Sequence, residues 1–404
     1  MNAPVRPPPA VEARPIRVLH LVDNLGMGGA ETWLMALLRC WRVHGGVETH
    51  ILATGGAPSR FDADAAALGA RIHYLRFGLH NLRGFTQGFR RILAVGGYDA
   101  IHDHQDRASG WHYLIGRARL PPIRVTHVHN PAYQIRATYG VTLRRRIAGR
   151  IGKALVARYA THVVGTSREV IGAFGFDAPA FARMPKGAIH CGFDAARFLA
   201  SASARGSVRA EFGWPADAPI VLFAGRFDVG EVLGHPQNHK NSGFAVGVAI
   251  DCARRDRRVR FLFAGAPSAA TPILRRQVEA AGMGDRIVFT GVRDDIGRLM
   301  GASDLLLFPS RAEGLGMVAV EAQAAGMPVL ASTDVPRECV VIPELVRFER
   351  IDAGSERWRD HVLELIDAPK VDALAANTRV AASPFAIERS ARSLETLYRT
   401  GRLG

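Results

Sequence analysis

The sequence predicts an α/β protein made of two doubly wound parallel-sheet domains in tandem. Apolar strand patterns alternate with amphipathic helix patterns over residues 16–198, and the same alternation restarts over 207–385 after a small, polar run at 199–206. Short connections between alternating elements make consecutive strands parallel and lay helices on both sheet faces. Each half also carries a glycine-bearing turn at a strand exit, where such sheets bind their ligands.

Residues 1–15, with five prolines and no apolar central run, predict a disordered lead-in rather than a secretory signal. The first strand is 16–22. The turn that follows, with Gly26, Gly28 and Gly29, opens a helix reaching about Arg42. A dinucleotide fingerprint needs its third glycine where Glu31 stands, which argues against a nicotinamide-dependent oxidoreductase. Strands at 50–54, 72–75, 100–104 and 124–129 alternate with helices at 62–68, 82–94 and 109–118.

Two histidine pairs, His102 with His104 and His127 with His129, stand at strand ends, and period two puts each pair on one face. A four-histidine metal site is conceivable, but hydrogen-bonded strand-end histidines are the commoner arrangement. Residues 141–159 mix Arg144, Arg145, Arg146, Arg150, Lys153 and Arg158 with apolar positions at helical spacing. Such a helix either lies on an anionic membrane or packs its apolar stripe on the sheet. A strand at 161–167 and a strand and turn at 186–194 close the first half.

In the second half, a strand at 220–224 exits through Gly225, Arg226 and Phe227, and His239 to Ser242 open the next helix. Strands at 261–264 and 287–290 follow. Residues 305–308 are a buried strand stopped by Pro309 and Ser310, and Gly314 and Gly316 free the loop after it. A helix then runs from Met317 to Ala325, with Gly326 and Pro328 as its stop before the strand at 329. Glu313 therefore lies in the loop and Glu321 one to two turns into the helix. Unpaired N–H groups and the helix dipole at this point suit an anion or a row of hydroxyls, and two flanking carboxylates suit a polyhydroxylated ligand that also carries phosphate. A last helix is expected over 386–400, with Ile387, Leu394 and Leu397 inward.

Glu313-Gly-Leu-Gly-Met-Val-Ala-Val-Glu321, followed by Gly326-Met-Pro328, resembles the signature of the family 4 retaining glycosyltransferases. The likeness extends in order through 26–32, 124–130 and 225–241. It implies the GT-B architecture, two Rossmann-like domains facing across a cleft, with domains at 16–198 and 207–385, a linker at 199–206, and 386–404 crossing back to the first domain. It implies donor contacts from Gly28, Gly29, Arg226, Lys240, Glu313, Gly314, Leu315, Gly316, Met317 and Glu321. Of these, Glu321 would bind the ribose, Arg226 and Lys240 the diphosphate, and Glu313 with the amides after it the transferred sugar. His129 is the better match for the histidine that reaches the reacting sugar, with His127 the alternative. The catalytic set is thus Glu313, His129, Arg226 and Lys240. The chain departs from the family at Cys191, where most members carry Asn, and in a longer loop at 228–238.

The resemblance further implies a retaining transfer that needs no metal and no cofactor. The donor would be a nucleotide-diphosphate sugar, with uridine preferred, and the acceptor a saccharide or lipid-linked saccharide of exopolysaccharide, capsule or lipopolysaccharide synthesis. Rival readings are a sugar-nucleotide epimerase or hydrolase of the same fold, and a non-catalytic protein that binds nucleotide sugars or polyanions.

Composition bounds the rest. The chain has 404 residues, 48% hydrophobic and 8% aromatic, which is enough for full cores, and no apolar run of membrane-spanning length. Four scattered cysteines, Cys40, Cys191, Cys252 and Cys339, fit a reducing compartment, so a cytoplasmic location, at the inner face of the plasma membrane or free of it, is expected. The net charge of +15 is asymmetric: residues 1–200 hold 26 Lys and Arg against 12 Asp and Glu, whereas 201–404 hold 26 against 25. Either the first half meets a polyanion or anionic membrane, or the chain simply uses Arg freely. A lipid-linked acceptor, as the resemblance implies, would suit peripheral contact of the basic first domain with an anionic membrane, and no nucleic-acid partner is expected.

Overall fold

The computed structural model describes residues 14–26, 28–131, 142–199, 203–227, 238–369 and 371–403. The expected lead-in up to residue 13, most of the long loop at 228–238 and the centre of the expected linker lie outside these residues.

In chain order the first sheet and its helices comprise β1 (Ile16–Val22), α1 (Gly29–His44), β2 (Val47–Ala53), α2 (Asp62–Ala67), β3 (Arg71–Tyr74), α3 (Leu82–Gly96) and β4 (Ala100–Asp103). They continue with α4 (Ser109–Gly116), β5 (Ile123–Val128), α5 (Leu143–Tyr159), β6 (His162–Gly165), α6 (Arg168–Ala173) and β7 (Lys186–Ala188). The strand order is β3-β2-β1-β4-β5-β6-β7. The pairs β1 with β2 and β1 with β4 are parallel, with Val18 opposite both Thr49 and Ala100. The order reverses direction between β1 and β4, so the exits of those strands flank a topological switch point.

The second sheet begins after α7 (Ala204–Glu211) and comprises β8 (Ile220–Ala224), α8 (Ser242–Arg255), β9 (Arg260–Ala264), α9 (Thr271–Ala280), β10 (Ile287–Gly291) and α10 (Ile296–Ala302). β11 (Leu305–Phe308), α11 (Met317–Ala324), β12 (Val329–Ser332) and β13 (Val346–Glu349) complete it, followed by α12 (Gly354–Ile366), α13 (Ala373–Ala381) and α14 (Ile387–Thr400). Its order is β10-β9-β8-β11-β12-β13, all parallel, with the switch point between β8 and β11.

Period-two alternation buries both faces of this sheet. Leu222, Ala224, Leu306, Phe308 and Val329 join one apolar cluster with α11 and α13, while Val221, Phe223, Leu305, Leu307 and Leu330 join the other with α8 and Trp358 of α12. A sheet covered on both sides exposes only its strand ends, so polar chemistry is confined to the loops at those ends.

By internal contacts the chain divides into two compact units: residues up to 126 with 152–162 and 391–404, and residues 127–151 with 163–390. In the first, Tyr398 of α14 is buried with its hydroxyl against His102 Nδ1, and His162 Nε2 meets the Gly401 carbonyl at 2.9 Å. In the second, α7 takes up 204–206, so the last three residues of the expected linker are helical. Val208 supplies the apolar anchor, and the buried Arg209 pins the helix through Nε to the Ala218 carbonyl (2.9 Å) and through its guanidinium to Asp304 (3.2 Å).

Candidate functional site

The exits of β8 and β11, the strands flanking the second switch point, carry the charged residues. After β8, the chain passes Gly225 to the exposed Arg226. The turn before α8 brings Lys240 back beside Gly225: the Lys240 methylenes lie 3.6 Å from where a Cβ on Gly225 would stand. After β11, the loop delivers Glu313, whose Oε1 accepts from Lys240 Nζ at 2.6 Å. The two side chains are only 29% and 11% exposed, so the pair is held in a partly dry setting. A backbone bond from Arg311 N–H to the His239 carbonyl, 2.7 Å, ties the two loops together. The Lys240 ammonium also rests 5.4 Å from the Phe308 ring centroid, so its charge is stabilised from below as well.

The loop between Glu313 and α11 is fixed by close packing. A Cβ on Gly314 would lie 1.9 Å from the His129 carbonyl oxygen, closer than any substitution can tolerate without moving backbone. Ser167 Oγ donates to the Gly314 carbonyl at 2.7 Å, and Thr166 Oγ1 donates to the His129 carbonyl at 3.2 Å. Leu315 is buried, and Gly316 takes the left-handed φ of 87° that starts α11 with no side-chain cap. Ala319 N–H donates to the Gly316 carbonyl at 2.9 Å, so the amides of Met317 and Val318 are the first-turn donors left to other partners. Glu321 sits in the second turn of α11. Burial pushes its carboxyl up to about 7 against the opposing pull of Arg197 and Lys240.

Comparison with known proteins decides what this arrangement belongs to. Residues 28–184 match the family model described as "Glycosyl transferase 4-like domain", and residues 218–367 that described as "Glycosyl transferases group 1". The chain is a glycosyltransferase of the GT-B fold. Among its relatives is EpsF of Bacillus subtilis, 28% identical over 340 residues that cover 84% of this chain and 81% of the relative. A D-inositol 3-phosphate glycosyltransferase of Mycolicibacterium smegmatis is 32% identical over 186 residues, 44% of this chain and 39% of that one. Among solved structures, HepE of Anabaena in complex with UDP and glucose superposes with a TM-score of 0.68 at 19% identity, covering 95% of each chain.

In this glycosyltransferase His129 lies half-buried and stacked on His127, with ring centroids 4.0 Å apart. Burial lowers its imidazole to about 3, so at neutral pH it is a neutral hydrogen-bonding group and not a cation. The two histidines share one face, as their spacing requires. Gly28 and Gly29 stand at the start of α1 in the other compact unit. A Cβ on Gly28 would lie 2.1 Å from Glu31 Oε2, so the carboxylate that replaces the third fingerprint glycine folds back over the helix start.

His102 and His104 meet a residue that strand patterning did not single out. His20 of β1 is fully buried, its Nδ1 lies 3.0 Å from His104 Nε2, and the ligand nitrogens of the three all lie within 4.8 Å of one another. They could hold a metal ion, and burial lowers His20 to about 3, so at neutral pH that imidazole is in the uncharged form that ligates metals. Thr166 and Arg197 were also missed, because their roles arise from contacts far apart in the chain.

Proposed function

We propose that the glycosyltransferase moves a sugar from a UDP-sugar to a saccharide or lipid-linked saccharide acceptor, with retention at the anomeric carbon and without a metal. The observation that carries this reading is the Lys240–Glu313 pair at the switch point between β8 and β11, beside the β8 exit that leads into Arg226 and ahead of the uncapped start of α11. A diphosphate leaving group gains negative charge as its bond to the sugar breaks, and two cations and a helix N-terminus stabilise that charge where it develops. The uridine preference draws support from the Anabaena relative's complexes with UDP and UDP-glucose.

In this reading Glu321 accepts hydrogen bonds from the ribose hydroxyls, Arg226 and Lys240 hold the diphosphate, and Glu313 with the amides of Gly314 to Met317 holds the transferred sugar. Gly28 and Gly29 let the first domain's backbone approach the donor, and the neutral His129 bonds a sugar hydroxyl. The acceptor hydroxyl attacks the anomeric carbon on the face from which the diphosphate departs. The C–O bond to phosphate breaks as the new one forms, and the hydroxyl proton passes to the departing phosphate oxygen. In this reading the domains are 16–198 and 207–385, with 386–404 returning to the first. Polysaccharide, capsule or lipopolysaccharide synthesis on the cytoplasmic side is the setting we assign.

The test follows hydrolysis of UDP-glucose and UDP-galactose without acceptor, by NMR in EDTA. An α-configured sugar released first, before mutarotation, is the expected result. A β-configured first product would remove retention, an epimerised nucleotide sugar would favour the epimerase reading, and binding with no turnover by any acceptor would favour the non-catalytic one.

A further inference from the structure

β1 and β4 lie side by side at the first switch point, and their register sets His20 directly opposite His102. His104 follows two residues later, with its N–H on the Leu21 carbonyl at 2.9 Å, so period two returns its ring to the same face. The three rings gather there, with centroids 5.2 Å apart for His20 and His102, 5.3 Å for His20 and His104, and 4.2 Å for His102 and His104. The cluster keeps one of the two histidine pairs evident in the sequence and takes its third member from β1.

A shared hydrogen explains part of this cluster and not the rest. His20 Nδ1 and His104 Nε2, 3.0 Å apart, hold one hydrogen between them. His20 Nε2 then has no hydrogen-bond partner among the described residues, in a side chain that is 0% exposed. An apolar residue would fill that strand position without stranding a polar atom. What imidazole adds is a lone pair for a ligand, and because burial keeps His20 uncharged that lone pair is present at neutral pH. His102 is prepared in the same sense. The Tyr398 hydroxyl of α14 engages its Nδ1, which fixes the ring and makes Nε2 the ligating nitrogen. One nitrogen from each ring lies within 4.8 Å of the other two. Nitrogen ligands around a tetrahedral zinc ion stand about 3.3 Å apart, so small rotations of the rings let an ion replace the shared hydrogen.

We propose that His20, His102 and His104 bind a divalent transition-metal ion, zinc by its ligand chemistry, with Tyr398 as the positioning residue behind His102. Three neutral imidazoles leave the ion its full charge and an open fourth position, and the half-buried His104 marks the side that solvent reaches. That position suits hydroxide or a small carboxylate. All four residues belong to the first compact unit, and the proposal stands whether or not the transfer reaction is assigned correctly.

Zinc titration of the full chain, stripped with EDTA and desalted, tests it, with a chromogenic chelator as competitor. One equivalent should bind and raise the Tm, and cobalt in its place should give the visible absorption of a tetrahedral ion. His104→Gln should weaken binding about a hundredfold or more, and Tyr398→Phe about tenfold, the usual effect of removing a partner behind a ligand. Because His104 is half-buried, His104→Gln should melt close to the zinc-free parent, so that lost binding is not lost fold. His44→Gln removes the exposed histidine whose Nδ1 lies 3.7 Å from Cys40 Sγ, and it should bind zinc as the parent does. No bound equivalent, or one that persists in His104→Gln and disappears in His44→Gln, would overturn the proposal.

Discussion

Replacing Lys240 with alanine should lower kcat/KM for the sugar nucleotide by about 10²–10³-fold, the usual effect of deleting one preorganised electrostatic donor. Lys240 is already aimed before a donor arrives, because Glu313 Oε1 holds its ammonium at 2.6 Å and the Phe308 ring lies beneath it. A diphosphate would draw the same ammonium away from Glu313 and free that carboxylate for the sugar hydroxyls. Alanine also removes the ion-pair partner that Glu313, 9% exposed, has among the described residues, so the variant should lose stability as well.

The two effects separate in the pair Lys240→Met with Glu313→Gln. That protein has neither charge, so urea unfolding should return most of the lost stability while turnover stays low. Recovery of turnover along with stability would reduce Lys240 to a structural ion-pair partner.

Glu321 carries the second large effect, which depends on pH. Its folded-state pKa, about 7, lies above the ordinary glutamate value of 4.5, so between those values the folded state binds the proton more tightly than the unfolded chain does. Stability therefore falls as pH rises through this window, and above it the ionised group costs about 3 kcal/mol. Glu321→Gln should be more stable than the parent by about that amount at pH 8, and the difference should narrow to about 1 kcal/mol as pH falls to 5. The same change removes one of the two carboxylate acceptors proposed for the ribose, so nucleotide affinity should fall about tenfold or more. Urea denaturation at the two pH values, paired with calorimetry, measures both. A stability difference independent of pH would mean that Glu321 is not held in a desolvated site.

The sequence shows the donor loop because its information is local. The run Leu305–Phe308, the two glycines and the buried Ala319 and Val320 of α11 lie within sixteen residues, and each follows from strand burial, left-handed backbone or helical spacing. What holds that loop is not local: Ser167 Oγ reaches the Gly314 carbonyl across 147 positions, and no periodicity encodes such a contact. His20 was read only as the inside of a strand, and its pairing with His104 depends on β1 lying beside β4. β13 alternates apolar and polar residues over only four positions, Val346 to Glu349, all half-buried at the sheet edge, a run too short to stand out in the sequence. The aliphatic positions of α5 were visible in the sequence, but which of them face outward depends on where Gly152 and Val156 pack.

The central claim is that the switch point between β8 and β11 binds a nucleotide diphosphate without a metal. Calorimetric titration of UDP, GDP and ADP in EDTA tests it most directly, on the parent chain and on Arg226→Ala. The account predicts UDP binding that persists in EDTA and drops about tenfold or more in the variant. Binding that requires a divalent cation, or that is unchanged by loss of Arg226, would contradict it.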